Sequence, residues 1–362
     1  MRYLGSAPKR WPSWEREETG RNMPDMRVRT LEELAELTGV SRSTISRVLN
    51  GGSVAPATRA KVMEVLDRVD YRPNLAARSL ASGRSGVVGL VMHVPAAALF
   101  TDAYFAMLLQ GITETLSDEA KGLMLWMSHR SKEETLDQIL SSRFIDGMIA
   151  TATLSEDPLV DGLLKSDVPT VLIGHRREDD TASYVDIDNV VATEMMVDYL
   201  VDCGARRIGH VTGERSTVSA EDRLAGYHRA LDRAGITERF VANGDYTREI
   251  GVDAAGELLD QGVDAIYAAS DHTAEGVYEA IAKRGLRIPD DVMVAGFDDL
   301  ESAAAMDPPL TTIRQNMYAQ GAVAAQTLLR LLGSGTRAPQ RVLLPTALVI
   351  RQSTTGGVAA YH

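Results

Sequence analysis

The chain has 362 residues, of which 44% are hydrophobic, with a formal net charge of −12 and a single cysteine. That length allows two or three domains with sizeable cores, and the lone Cys203 excludes an intrachain disulfide and points to a reducing compartment. No apolar run nears the ~20 residues of a membrane helix. The first 26 residues also lack the apolar stretch of a signal peptide, so a cytoplasmic protein without membrane association is expected.

Residues 1–27 carry Trp11 and Trp14 among Pro, Arg and Glu with no period, and read as a disordered extension. Met23 and Met26 stand just before the first patterned segment, so a later translation start is open. Charge is divided unevenly along the chain: residues 27–84 carry +4, residues 85–362 carry −17 and residues 1–26 carry +1. The basic stretch therefore suits phosphate, and the acidic body is kept off it.

Residues 28–73 read as a small all-α unit. Leu34 and Leu37 give a first helix one apolar side, Ala35 is small where two helices cross, and Gly39 supplies the tight turn. Ile45 and Val48 of a second helix point back to the same core, with Ser41 at its N-cap. Arg42, Ser43, Thr44, Ser46 and Arg47 then face outward from its first turns, where helix-turn-helix proteins meet base edges, and Asn50 ends it with a backbone-contacting amide. An Arg can pair bidentately with guanine, and hydroxyls serve base edges or phosphates. Taken singly, these residues could equally be solvated or capping.

Pro56 to Val69 reads as a third helix with Val62, Val65, Leu66 and Val69 inward. Residues 74–84 hold a helix of about two turns, Asn74 to Ser82, too short to be stable alone, and a Gly-rich linker.

Beyond Gly86, strand-like and helix-like segments alternate, the signature of parallel sheets with crossover helices and hence an α/β, doubly wound body. Strands are expected at Val87–Met92, Gly122–Met127, Gly147–Thr151, Thr170–Ile173, Ile208–Thr212, Ala265–Ala269 and Val292–Gly296. Within a body spanning 85–352, this gives one lobe at about 86–187 and 318–346 and another at about 188–315, followed by a tail at 353–362. Ligands in such sheets bind beyond the carboxyl ends of the strands, so the cleft between lobes is the expected pocket.

The sequence resembles the LacI/GalR family of bacterial transcription regulators from about Val28 to Gln352. The resemblance rests on Leu31–Asn50, Tyr71-Arg72-Pro73-Asn74, Ala77-Arg78-Ser79-Leu80, Val185–Asn189, Arg206-Arg207-Ile208, Asp222–Tyr227, Val294–Asp299 and Pro308–Ile313. It implies a helix-turn-helix head on a periplasmic-binding-protein-like core, and a homodimer on palindromic double-stranded operator DNA, controlled by a small effector and needing no cofactor or metal.

By position, the resemblance makes Leu80 the residue that wedges into the minor groove, at a cost of a few kcal/mol in unstacking. Thr30, Asn74, Ala77 and Arg78 join it as candidate DNA contacts. A core leucine in a linker helix is the plainer account of Leu80.

In the cleft, the resemblance makes Arg223 the effector-gripping arginine and Asp298 the acid that accepts sugar hydroxyls. Arg223 has a planar fork suited to paired hydroxyls or a carboxylate; a surface ion pair with Glu221 or Asp222, or a loop cap for Asp298, are the alternatives. Ser219 lies in the same run as Arg223. Phe105, or its neighbour Tyr104, and Tyr246 offer apolar walls for a sugar face, and Phe105 reads equally as core.

Three features depart from the commonest family pattern. Ser270 stands where many members have Asn, Gly174-His175 replaces a frequent Asp-Arg, and the 93–102 loop is long and alanine-rich. These departures leave a sugar as the effector class that the resemblance implies, without naming which sugar, with a nucleoside or purine as alternative. No enzyme is expected: the seven histidines show no triad or metal spacing and read as structural, and no phosphate-binding loop motif occurs. A transport-type solute-binding protein shares the two-lobed architecture, but would need an export signal and would not need residues 28–82.

Overall fold

The computed structural model describes residues 30–49, 52–69, 71, 84–92, 94, 96–127, 131–142, 144–151, 154–176, 181–335 and 338–354. The expected N-terminal extension, Asn50, the short helix bearing Asn74, Ala77, Arg78 and Leu80, and the tail beyond Thr354 lie outside these residues. The chain divides into two compact units, Met1–Ala81 and Ser82–His362.

The first unit packs α1 (Leu31–Thr38), α2 (Arg42–Leu49) and α3 (Pro56–Leu66) around Leu34, Ile45, Val48 and Val62, all buried. Gly39 adopts the left-handed conformation at φ 62° between α1 and α2, where an L side chain would be strained. One expectation is corrected here. Leu37 is 43% exposed, and Thr38 takes the inner position by donating its hydroxyl to the Leu34 carbonyl at 2.6 Å. The first helix is only two turns long, so the next inward place after Leu34 falls on the residue four along.

The second unit holds two six-stranded sheets. In chain order its elements are β1 (Val87–Met92), α4 (Ala96–Thr101), α5 (Ala103–Asp118), β2 (Gly122–Met127), α6 (Lys132–Ser142), β3 (Gly147–Thr151), α7 (Pro158–Lys165), β4 (Thr170–Ile173), β5 (Ser183–Ile187), α8 (Asn189–Asp202) and β6 (Ile208–Val211). They continue with α9 (Val218–Arg233), β7 (Phe240–Ala242), α10 (Arg248–Asp260), β8 (Ala265–Ala268), α11 (Asp271–Lys283), β9 (Met293–Asp298), α12 (Glu301–Ala305), β10 (Thr311–Arg314), α13 (Met317–Ser334), β11 (Arg341–Leu344) and β12 (Ala347–Val349).

One sheet runs β11-β5-β4-β3-β1-β2 and the other β12-β10-β9-β8-β6-β7. Every pairing is parallel except β10 with β12. The central strands β3, β4, β6 and β8 are buried along their whole length because helices cover both faces of each sheet. The chain passes between the sheets three times, at β5 to α8, β10 to α13 and β11 to β12.

Where the chain enters β1 it is fastened to the first lobe. Asp146 accepts from the Ser85 amide at 2.6 Å, the Ser85 hydroxyl at 2.9 Å and the Gly86 amide at 3.0 Å, and Lys121 lies 3.3 Å away. Burial opposes the charge of Asp146, but the bonds from Ser85, Gly86 and Lys121 prevail and hold its pKa below the ordinary carboxylate value. Arg84 adds a 2.8 Å bond to the Leu332 carbonyl of α13.

Candidate DNA interface and effector cleft

In the helical unit, Thr30 caps α1 by accepting from the Glu33 amide at 3.2 Å. Ser41 accepts from the Thr44 amide at 3.3 Å, and its hydroxyl also meets those of Ser43 at 3.0 Å and Thr44 at 2.9 Å. A hydroxyl network thus rims the start of α2. Arg42, Ser43 and Arg47 are exposed on this helix, while Thr44 and Ser46 are half-buried beside Ile45. Arg42 lies 2.6 Å from Glu32 of α1, with both side chains largely solvated. An exposed pair of this kind is worth ~0–1 kcal/mol and yields readily to a phosphate or a guanine edge.

In the second unit the carboxyl ends of the two sheets face one another. Arg223, on α9, is buried: its Nε donates to Asn189 at 3.0 Å, Nη1 donates to the Ala269 carbonyl, and the guanidinium carbon sits 3.6 Å from the centre of the Phe297 ring. Burial opposes its charge, but Tyr246 and Asp298 offset that and hold it protonated more firmly than usual.

Asp298 ends β9 with φ 117°, a conformation that favours glycine, and accepts from Gln315 Nε2 at 2.5 Å; Gln315 in turn accepts from Gln320 at 2.6 Å. Burial pushes its pKa up to about 6, restrained by Arg223 and by the Gln315 bond. Asp271, at the start of α11, is buried behind it, bonded to Thr312 and to the Leu300 amide at 2.7 Å each; burial and the neighbouring Asp298 charge raise it well above the ordinary value. Gly296 leaves room for Asp271, since a Cβ there would stand 2.5 Å from its Oδ1.

Tyr246 also has positive φ, at 71°, and lays its ring over Gly213, where a Cβ would come within 2.0 Å. Its hydroxyl meets Ser219 at 3.0 Å and Thr217 at 3.3 Å, and its carbonyl accepts from Ser270 at 3.3 Å. Ser270 is also the N-cap of α11, accepting from the Thr273 amide at 3.1 Å. His175, beyond β4, is held by Asp186 through both its backbone amide at 2.9 Å and Nδ1 at 2.8 Å, and its Nε2 lies 3.4 Å from Asp222 of α9.

Arg223, Asp298, Tyr246, Ser219 and Ser270 therefore share one neighbourhood, and His175 borders it through Asp222. Phe105 is different, because it packs against the first lobe's core. Tyr104 occupies the cleft side instead: burial raises its phenol first, and then Asp298, Asp186, Arg223 and Tyr246 act on it from both lobes. The sequence reading passed over Asn189, Asp271, Gln315 and Gln320. Asp271 opens a helix three residues past the end of β8 and Gln315 follows the polar strand Thr311–Arg314, so neither carried a clear local signal, and the Arg223–Asn189 contact spans 34 positions that no local pattern records.

The raised pKa of Asp298 has a stability consequence. Between its ordinary value of 3.8 and about 6, the native state binds a proton that the unfolded chain has released, so this group favours folding at low pH and penalises it above 6. Asp298→Asn removes that dependence. Denaturant titrations are expected to show the variant gaining roughly 2 kcal/mol on the parent as pH rises from 4 to 7; a constant difference would contradict the assigned environment.

The described residues hold no cluster of three or more potential metal ligands, and none of the described helices is long and apolar enough to cross a membrane. A profile of bacterial regulatory proteins, lacI family, matches residues 30–74, and one of periplasmic binding protein-like domains matches residues 197–354. The chain is 36% identical over 332 residues to the HTH-type transcriptional regulator CelR of Thermobifida fusca, across 90% of this chain and 98% of that one. Among solved structures, it is similar to a transcriptional regulator CelR–cellobiose complex, with TM-score 0.71 and 34% identity over 90% of this chain and 99% of the other. It is also similar to the lac repressor dimer bound to operator and the anti-inducer ONPF, with TM-score 0.80 and 29% identity over 91% and 99%.

Proposed function

The chain belongs to the lacI family of bacterial regulatory proteins, and from that membership we propose a sugar-responsive repressor that binds a palindromic operator as a homodimer. The observation that carries this reading is the pairing of an exposed Arg42/Arg47 face on α2 with a cleft where Arg223 and Asp298 converge. One surface suits a major groove and the other suits a small polyhydroxylated ligand. Its relative CelR has been seen with cellobiose and the lac repressor dimer with operator, which supports a sugar effector and a dimeric DNA complex here. Regulation without a catalytic step, in the cytoplasm where operator DNA is found, follows from the same reading.

Division of labour along the chain is part of the proposal: residues 28–73 read DNA, residues 74–84 connect, and residues 85–352 sense the effector and dimerise. Asn50, Asn74, Ala77, Arg78 and Leu80 are assigned to the operator alongside Thr30 and the α2 face. Ser219, Tyr246, Ser270 and His175 are assigned to the effector site with Arg223 and Asp298, and Tyr104 takes the wall position first given to Phe105. A ring of charged groups favours a sugar over a purine. Among the described residues, the stacked aromatic pairs are His210 with Tyr227 and with Tyr267, within the second lobe's core.

The effector acts by preferring one lobe arrangement, so its coupling to DNA is reciprocal. A thermal-shift screen of mono- and disaccharides, cellobiose included, with nucleosides as the competing class, should find a ligand that stabilises by ~2.7 kcal/mol at 100 times its dissociation constant. Titrating that ligand with and without operator is expected to give unequal affinities. Equal affinities would refute the coupling, and a nucleoside hit would refute the sugar.

A further inference from the structure

Beyond its sugar and its operator, the protein carries histidine–carboxylate contacts between its lobes. His175 belongs to the first lobe and reaches Asp222 of the second at 3.4 Å; His272, on α11 of the second, reaches Asp102 of the first at 3.4 Å. One histidine is thus contributed from each side. In both, the other ring nitrogen also faces a carboxylate: His175 Nδ1 lies 2.8 Å from Asp186, and His272 Nδ1 lies 3.6 Å from Glu275. A neutral imidazole has one N–H and one lone pair, so one of its nitrogens would turn that lone pair toward an anion. Only the His175 Nδ1–Asp186 contact has hydrogen-bond geometry; the other three, at 3.4–3.6 Å, are charge contacts that favour the imidazolium, and His272 Nε2 makes no hydrogen bond.

We propose that closure of the two lobes is latched by His175 and His272 in their protonated forms, so that the protein takes up protons as the cleft closes. Carboxylates face both rings, and one cation, Arg248, stands beyond Glu275. Around His272 stand Asp102 before α5, Glu275 on α11 and Asp298 at the end of β9, while Arg248 on α10 faces Glu275. Around His175 stand Asp186 on β5, Asp222 on α9 and the Tyr184 ring, 5.9 Å away.

Contact with Asp102, and then with Glu275, holds His272 up to about 10 against an ordinary 6.5. Glu275 lies on His272's own helix and stays beside it when the lobes part, so only the Asp102 contact ties protonation to closure; that contribution is full below the open form's pKa and is lost as pH rises toward 10. Each histidine that must be protonated lowers the closure constant about tenfold per pH unit in that window.

Spin labels read the lobes without any ligand. Cys203 is exposed on the second lobe, and Glu119→Cys places a second label at the exposed end of α5 on the first. Double electron–electron resonance is run on full-length protein, diluted with unlabelled Cys203→Ser chain to remove signals between protomers. At pH 6.5 a single short distance is expected, shifting toward longer distances at pH 9.

His175→Gln/His272→Gln is expected to show one distribution at both pH values. If that variant does not fold, Asp102→Asn/Asp222→Asn carries the same expectation. An unchanged parent distribution between pH 6.5 and 9, or a variant that shifts as the parent does, overturns the latch. Neither outcome bears on which sugar binds.

Discussion

Arg223→Ala is expected to lower effector affinity ~100-fold or more while leaving operator affinity within a few-fold of the parent. The size follows from what the side chain touches. Its guanidinium is buried against Phe297, bonded to Asn189 and the Ala269 carbonyl, and lies within the field of Asp298. Removing a charged donor that grips a buried ligand oxygen typically costs ~2–5 kcal/mol of binding, because the ligand's polar group is left unpaired. The variant should also lose stability, since two buried acceptors are abandoned. Operator affinity is measured without ligand by fluorescence anisotropy, and a fall there comparable to the effector loss would defeat the proposed separation of roles.

Arg47→Ala is expected to weaken operator binding ~10–100-fold, the worth of one bidentate base contact, with a melting curve that overlays the parent's. Exposure of Arg47 on α2 makes the two effects separable. Ile45, two positions earlier, gives the contrast: it is fully buried in a core of four enclosed side chains, so Ile45→Ala should cost ~2–5 kcal/mol and unfold the head. Both variants would lose operator binding, and only the second would lose helical signal on mild heating. If Arg47→Ala leaves affinity and salt dependence unchanged, α2 is not the reading helix.

The long alternation of apolar strands and amphipathic helices was legible because buried parallel strands such as Val87–Met92 and Gly147–Thr151 are nearly continuous apolar runs. The strands that escaped notice are short or mixed in character: Ser183–Ile187 and Thr311–Arg314 mix polar with apolar residues, Phe240–Ala242 and Ala347–Val349 span three residues each, and Arg341–Leu344 and Ala347–Val349 are edge strands half open to solvent. Likewise α4 lies in what reads as a loop, since six residues with three alanines give no usable period.

In the site, residues at strand ends could be picked singly, but their partners could not. His272 reads as an isolated histidine until folding sets Asp102 beside it from 170 positions away. Tyr104 and Phe105 are adjacent and chemically alike; only the rotation of α5 decides which ring joins the core and which faces the cleft.

Asp146 gathers the first residues of the sensing unit, Ser85 and Gly86, into a short half-buried knot, and Arg84 is tied to α13 just before it. A turn of the first lobe therefore carries residues 84–86 with it. Asp146→Ala is expected to free residues 85 and 86 from the first lobe, read as faster amide hydrogen exchange at Ser85 and Gly86.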